Sequence, residues 1–171
     1  SDCLAAHLHR RLPEASHLTL AFASFGGGMS HGTATTVVEN LGAPSAVRRD
    51  GRIVAVPLAS QTRDIDFGRG PTSCMGIPWG DVSTAWYSTK IPNIEVFTKI
   101  PPGTIRLIRF TGLASWLMKT NLVRTLGRRF VDSRPAGPDE SARATGFTVL
   151  HGEARHEDQT VATRLRVPEG Y

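Results

Sequence analysis

The sequence predicts an α+β fold, with a mixed, largely antiparallel β-sheet and helices packed on one face. Strand patterns that follow one another through short turns outnumber strand–helix–strand alternations along the chain. Apolar residues make up 40% of the 171 residues and charged residues 20%, a balance that permits a buried core. We therefore expect a single domain over 1–171. Because both ends stop directly at a predicted element, we expect this domain to be a piece of a longer, two-domain protein.

The first predicted elements are a helix and a strand. Asp2 is a candidate N-cap, and three leucines follow at helical spacing before Pro13 ends the pattern (Leu4, Leu8 and Leu12). Residues 17–25, HLTLAFASF, alternate between apolar and polar positions as a half-buried strand does.

A glycine-rich run and a second helix come next. The run begins at Gly26, and Ser30 or Thr33 is the candidate start of a helix that ends near Leu41. The dinucleotide pattern G-x-G-x-x-G fails here, because its third glycine position is His31. Two interpretations stay open: a helix N-terminus that attracts an anion or carboxylate, and a tight turn whose hydroxyls only cap the helix.

The rest of the chain alternates between hairpins and helices. Four segments are predicted in its middle: a hairpin over 46–58 turning at Asp50-Gly51, a short strand over 62–68, a Gly- and Pro-rich loop over 68–81, and a helix capped by Asp81 and ending near Tyr87. Four more complete the chain: a strand over 93–100, a helical region over 104–130 interrupted near Gly112 with Leu107 and Ile108 inward, a loop over 132–141, and a terminal hairpin over 143–168 that turns at 156–159.

Charge and cysteine usage exclude several classes of protein. The net charge is +5, but the densest basic groups are scattered arginine pairs, so we expect no nucleic-acid partner. The longest apolar stretches fall short of 18 residues, and we expect no transmembrane segment. Two cysteines without C-x-x-C spacing predict neither a zinc site nor a disulfide scaffold and favour a cytoplasmic location.

Three stretches together carry a family resemblance: SDCLAAHL at the start, GGGMSHGTATTVVENL over 26–41, and IPWGDVSTAWYST over 77–89. With them, nearly the whole chain resembles the C-terminal, substrate-binding part of saccharopine dehydrogenase-like oxidoreductases, nearest to the branch called trans-acting enoyl reductases. The resemblance implies an α+β domain that contacts substrate and forms a homodimer, preceded in the intact protein by a Rossmann domain. NAD or NADP is then the cofactor of the intact protein, and this chain alone is expected neither to bind it nor to turn over.

The resemblance places the candidate substrate site in two motifs. Its residues are Gly28, Ser30, His31, Gly32 and Thr33 in the first, and Trp79, Asp81 and Ser83 in the second. The implied reaction is hydride transfer to an enoyl or imine group of a small-molecule substrate. The resemblance assigns no catalytic residue and no metal. The alternative is a stand-alone, non-catalytic module that binds an acyl chain or forms a dimer.

Other reactive residues are expected to be structural. Cys3 is placed on the apolar face of the first helix rather than as a nucleophile, and Cys74 in a loop. His7 and His9 are two apart on a helix and point to different faces, which excludes a shared metal. The aromatics of the second motif predict either an apolar substrate pocket or ordinary core packing (Trp79, Trp86 and Tyr87).

Overall fold

The structure is a computed structural model that describes residues 2–26, 43–112, 125, 129, 132–133 and 146–168. The described residues contain three helices: α1 (Asp2–Arg11), α2 (Asp81–Thr89) and α3 (Pro102–Gly112). They also contain eight strands: β1 (His17–Phe25), β2 (Ser45–Arg49), β3 (Arg52–Val56), β4 (Thr62–Asp66), β5 (Pro71–Gly76), β6 (Asn93–Lys99), β7 (Phe147–His156) and β8 (Gln159–Pro168).

The strands form one mixed sheet whose main path runs β3-β2-β6-β1-β7-β8. Only β1 and β6 are parallel neighbours among the described strands, and every other pairing is antiparallel. The predicted α+β class and the mixed, largely antiparallel sheet are therefore confirmed.

Helices α1 and α2 cover one face of this sheet. Even-numbered positions of β1 and β6 pack there against leucines of α1 and small residues of α2; the buried set is Leu4, Leu8, Leu18, Leu20, Val82, Ala85, Ile94 and Val96. Alternation along a strand sends successive side chains to opposite faces, so this apolar set follows directly from the sequence pattern. We call this side the helix face.

The β4–β5 hairpin covers part of the opposite side, which we call the hairpin face. Ile65 and Phe67 pack on Ala21, Phe97 and neighbouring small residues of the central strands. Strand β5 also pairs with the last residues of β6, so the hairpin is bonded to the sheet at one end and folded over it at the other. Helix α3 packs through Ile105 on Met75 of β5.

Three predicted elements need correction. The loop predicted over 68–81 contains strand β5, because the whole of β4 and the last residues of β6 offer it backbone partners that the sequence does not reveal. Leu107 is 64% exposed, whereas Ile105 is buried. Asp81 is not the cap of α2: Gly80 holds that position, no side chain bonds the helix end, and Asp81 is the first helical residue.

The other predicted segments agree with the structure where it describes them. The hairpin over 46–58 turns at Asp50-Gly51, both with positive φ, and the terminal hairpin turns just after His156. The helix predicted to end near Leu41 and the helical region beyond Gly112 fall on residues that are undescribed or described only singly.

Candidate functional site

Trp79 of the second motif lies at the end of the parallel strand pair. Its ring packs on Phe22 of β1, with the centroids 5.1 Å apart and the planes tilted by 52°. Phe22 pairs with Thr98 near the carboxyl end of β6. The Trp79 side chain stays 48% exposed, so one side of the indole is packed and the rest faces solvent. Trp79 is therefore a partly exposed aromatic packed on the sheet rather than a core residue.

Asp81 and Ser83 lie beside Trp79 in the first turn of α2. The backbone makes this junction compact, because the amide of Val82 donates to the Trp79 carbonyl and the amide of Ser83 donates to that of Gly80. Asp81 is buried, at 5% exposure, and Ser83 is half-buried. The structure thus brings together the three described residues of the predicted site.

The five other predicted site residues, Gly28, Ser30, His31, Gly32 and Thr33, lie outside the described residues. What precedes them is described: β1 ends at Phe25, and Gly26 follows with φ of 78°. Phe22 is only three residues before the end of this strand. The chain therefore enters the glycine run at the end of the sheet where Trp79 lies.

Two further aromatics do not join Trp79. Trp86 stacks under the Arg48 guanidinium, 5.0 Å from the ring centroid, and a Cβ on Gly51 would meet its ring at 3.3 Å. Tyr87 is 74% exposed and contacts Lys90. Neither alternative holds for all three aromatics: Trp86 packs against the helix-face core, whereas Trp79 and Tyr87 stay exposed and do not gather in one wall.

A second candidate site lies on the hairpin face, near the amino ends of β1 and β6. Strand pairing sets two rows of side chains side by side there, Asn93–His17–Arg155 and Glu95–Thr19–Glu153. Together with Arg49 and Arg63 they line a cavity of about 170 Å³, which we call the charged basin.

Ion pairs organise the charged basin. Arg49 donates to Glu95 at 2.5 Å, and Glu95 also accepts from the Gln61 amide at 2.7 Å. Arg63 extends from β4 across the sheet, donating to the Thr19 hydroxyl at 3.2 Å and to Glu153 at 2.7 Å. Both glutamates are thereby held by an arginine from a different strand, which fixes the walls of the cavity.

His17 lies between the positive charges of the basin. Burial lowers the pKa of its imidazole, and the guanidinium groups of Arg155 and Arg49 lower this pKa further. Glu95 and Asp50 act in the opposite direction but do not cancel these effects. The lowered pKa favours the neutral imidazole of His17 at physiological pH, and compensation of the local positive charge would raise this pKa again.

His151 and Cys74 are also on the hairpin face, deeper in the core. Burial is the main cause that lowers the pKa of His151, whose ring meets Phe67 edge-on with centroids 6.3 Å apart. Burial raises the pKa of the Cys74 thiol to about 11, with the charge of Asp64 adding to it. Cys74 is thus a protonated core thiol in β5 rather than the loop residue predicted.

The cysteines form no disulfide, and Cys3 is exposed rather than buried. The buried stripe of α1 passes through Leu4, Ala5 and Leu8, and Cys3 falls outside it. Within the described ranges, no group of three or more His, Cys, Asp or Glu side chains could hold a metal ion. No helix in the same ranges has the length and apolar character needed to cross a membrane.

The charged basin was not anticipated from the sequence, although a signal exists. Polar residues occupy alternate positions of β1, β6 and β7 at their paired ends, in HLT, NIE and EAR. Such alternation is usually assigned to a solvated sheet face. Only the hairpin folded over this face converts it into a cavity.

No protein-family model matches this chain, and no curated protein sequence matches it either.

Proposed function

We propose that this chain is the substrate-binding and dimerisation domain of a saccharopine dehydrogenase-like, NAD(P)-dependent oxidoreductase that acts on an enoyl or imine group. The proposal starts from the motif resemblance, and the observation that supports an apolar substrate is the half-exposed Trp79 packed on Phe22. The α+β sheet is of the kind that the resemblance implies.

The geometry favours a substrate with an apolar part. Trp79 and Phe22 offer a continuous aromatic surface at the end of β1, and an apolar chain laid on it would remove that surface from water. Ser83 supplies a hydroxyl one turn away on α2. The glycine run begins at the same end of the sheet, which supports its assignment to the same site.

The nicotinamide cofactor would supply the hydride, and the described residues do not fit its binding. The parallel strands β1 and β6 are connected through the β2–β3 and β4–β5 hairpins and α2, rather than by the single crossover helix of a dinucleotide-binding unit. The proposal therefore assigns cofactor binding to a separate Rossmann domain of the intact protein. The two free cysteines support a reducing compartment such as the cytoplasm.

The test is binding of a medium-chain enoyl thioester, the N-acetylcysteamine thioester of trans-2-decenoic acid, followed by calorimetry. Trp79→Ala is expected to weaken binding about tenfold or more, because the aromatic contact surface is lost. Tyr87→Ala removes an exposed aromatic from α2, the helix that follows Trp79, and is expected to leave affinity within about twofold. Equal affinity of the Trp79→Ala variant and the parent chain would contradict the proposed site.

A second measurement separates the oxidoreductase from a stand-alone binding module. The full-length gene product is expected to oxidise NADPH or NADH in the presence of the same thioester, whereas this chain alone is expected not to bind either cofactor. Thioester binding without any cofactor oxidation by the full-length product would favour the module.

We also propose that two copies associate along β3. This strand ends the sheet on one side, and no described strand pairs with its outer edge. Its sequence, RIVAV, is exposed along nearly its whole length, with Ile53 53% and Val54 41% exposed on opposite faces. An apolar edge without an inward charge is suited to pairing with another strand, and antiparallel pairing about Val54 would keep the two Arg52 side chains apart.

A further inference from the structure

Arg155 differs from the other two arginines of the charged basin. Arg49 is paired with Glu95, and Arg63 is paired with Glu153. Among the described residues, no carboxylate lies within ion-pair distance of Arg155. Arg155 nevertheless lines the cavity and lies close enough to His17 to lower the pKa of its imidazole.

The basin therefore has an excess of positive charge. Its three guanidinium groups face two carboxylates, and each carboxylate is already engaged by an arginine. We propose that the charged basin is a binding site for a small oxyanion, a carboxylate or phosphate group, held by Arg155 beside His17. Arginine is the side chain best matched to this task, because its planar guanidinium donates two parallel hydrogen bonds to one oxyanion.

The hydrogen bonds of His17 leave one ring nitrogen available to contact the anion. The Ser16 hydroxyl lies 3.3 Å from the Arg155 carbonyl and 3.0 Å from Nδ1 of His17, and when it donates to the carbonyl its oxygen accepts from the Nδ1–H of His17. Nε2 is then the unprotonated nitrogen of the ring. An anion at Arg155 would offset the positive field at the imidazole, and Nε2 would take up a proton and become a second donor to the anion.

The size of the cavity limits the ligand. A volume of about 170 Å³ holds about five or six water molecules. Inorganic phosphate and three-carbon acids fit within it, whereas a nucleotide or a long acyl chain does not. The charged basin lies on the hairpin face near the amino ends of β1 and β6, whereas Trp79 lies on the helix face near their carboxyl ends. This inference therefore does not depend on the proposed function.

The proposal is tested by titrating the chain with pyruvate and, separately, with inorganic phosphate, using calorimetry in buffers of different ionisation enthalpy. We expect saturable binding with a dissociation constant of about 1 mM or lower, accompanied by proton uptake. Pyruvate stays ionised over the range in which His17 titrates, and its binding is expected to tighten about fivefold between pH ~7.5 and pH ~5.5. The two probes distinguish a carboxylate from a phosphate ligand.

Three variants complete the test. Arg155→Gln is expected to weaken binding about tenfold or more, since a charge-assisted contact is lost. Arg166→Gln removes the same charge from the other end of the hairpin face, where Arg166 lies over Phe147, and is expected to leave binding unchanged. His17→Asn is expected to retain binding while abolishing the proton uptake. Equal weakening by Arg155→Gln and Arg166→Gln, or no saturable binding of either probe up to about 10 mM, would overturn the proposal.

Discussion

Gly152 shows how a single residue sets the distance between a helix and the sheet. It lies in β7 directly beneath α1, and a Cβ placed on it would come within 2.6 Å of a Leu8 methyl and 3.1 Å of Leu4. Leu8 is fully buried, so a shift of its methyl would disturb the core around it. Glycine is therefore required here by close packing, not by backbone conformation.

We expect Gly152→Ala to lower the free energy of unfolding by about 1–3 kcal/mol, the usual cost of overpacking a core. Urea denaturation followed by circular dichroism measures it. Gly103→Ala is the matched control, because no atom lies within 4 Å of a Cβ at that helical position, and alanine there is expected to be neutral or stabilising by up to about 1 kcal/mol. A loss of stability in Gly103→Ala alone, or equal stability of the Gly152→Ala and Gly103→Ala variants, would show that α1 does not pack on β7 in this way.

At the scale of one element, the β4–β5 hairpin depends on a carboxylate. One oxygen of Asp66 accepts hydrogen bonds from three backbone amides, at 2.7 Å from Gly68, 3.1 Å from Arg69 and 2.9 Å from Gly70. These hydrogen bonds lower the pKa of Asp66 below its ordinary value of 3.8, and the bond from Gly68 has the largest effect. The positive charge of the nearby Arg164 lowers this pKa as well. The charged carboxylate thus shapes the turn that folds the hairpin over the sheet.

This pKa shift predicts how stability depends on pH. Because the folded-state pKa of Asp66 is depressed, its stabilising contribution is complete above the ordinary pKa and is lost as the pH falls through the folded value. Asp66→Ala is therefore expected to be less stable than the parent chain at neutral pH, with the difference shrinking once the pH falls below about 3.8. Urea titrations across this range measure the difference. Asp158→Ala is the matched control, because it removes a carboxylate from the β7–β8 turn rather than from the β4–β5 turn.

The elements also show how far the sequence could predict the fold. Hairpins with strong turn chemistry, at Asp50-Gly51 and after His156, were predicted because the turn residues and the alternating strands are local signals. Strand β5 was missed because PTSCMG has glycine and proline at its ends and little alternation. It becomes a strand because it lies between β4 and β6, and pairing with distant residues is invisible in a local pattern.

At the scale of the whole molecule, the two faces of the sheet have different roles. The helix face is apolar and ends at Trp79, whereas the hairpin face is apolar in its middle and charged at the amino ends of β1 and β6. The two candidate sites therefore occupy opposite faces and opposite ends of the central strands. A ligand in one has no direct contact with a ligand in the other.

The exposed edge of β3 leads to a prediction about the oligomeric state of the chain. The chain is expected to form a dimer with a dissociation constant of about 10 μM, measured by sedimentation equilibrium. Val54→Lys places a charge on each copy at the two-fold axis and is expected to give monomers. Leu165→Lys alters an equally exposed residue of the opposite edge strand, β8, and is expected to leave the dimer intact. A dimer that survives Val54→Lys would exclude β3 as the interface.

The sequence by itself determined the α+β class, the boundaries of most hairpins and the apolar face that receives α1 and α2. These depend on periodicity and turn residues, which act over a few positions. Only the tertiary structure decided that β5 is a strand, that Trp79 rests on Phe22, and that Arg63 crosses the sheet to Glu153 above Thr19. The pairing of β5 with β6 and the other two contacts each join residues far apart along the chain. Side chains that look like a solvated strand face became a charged cavity because a distant hairpin folded over them.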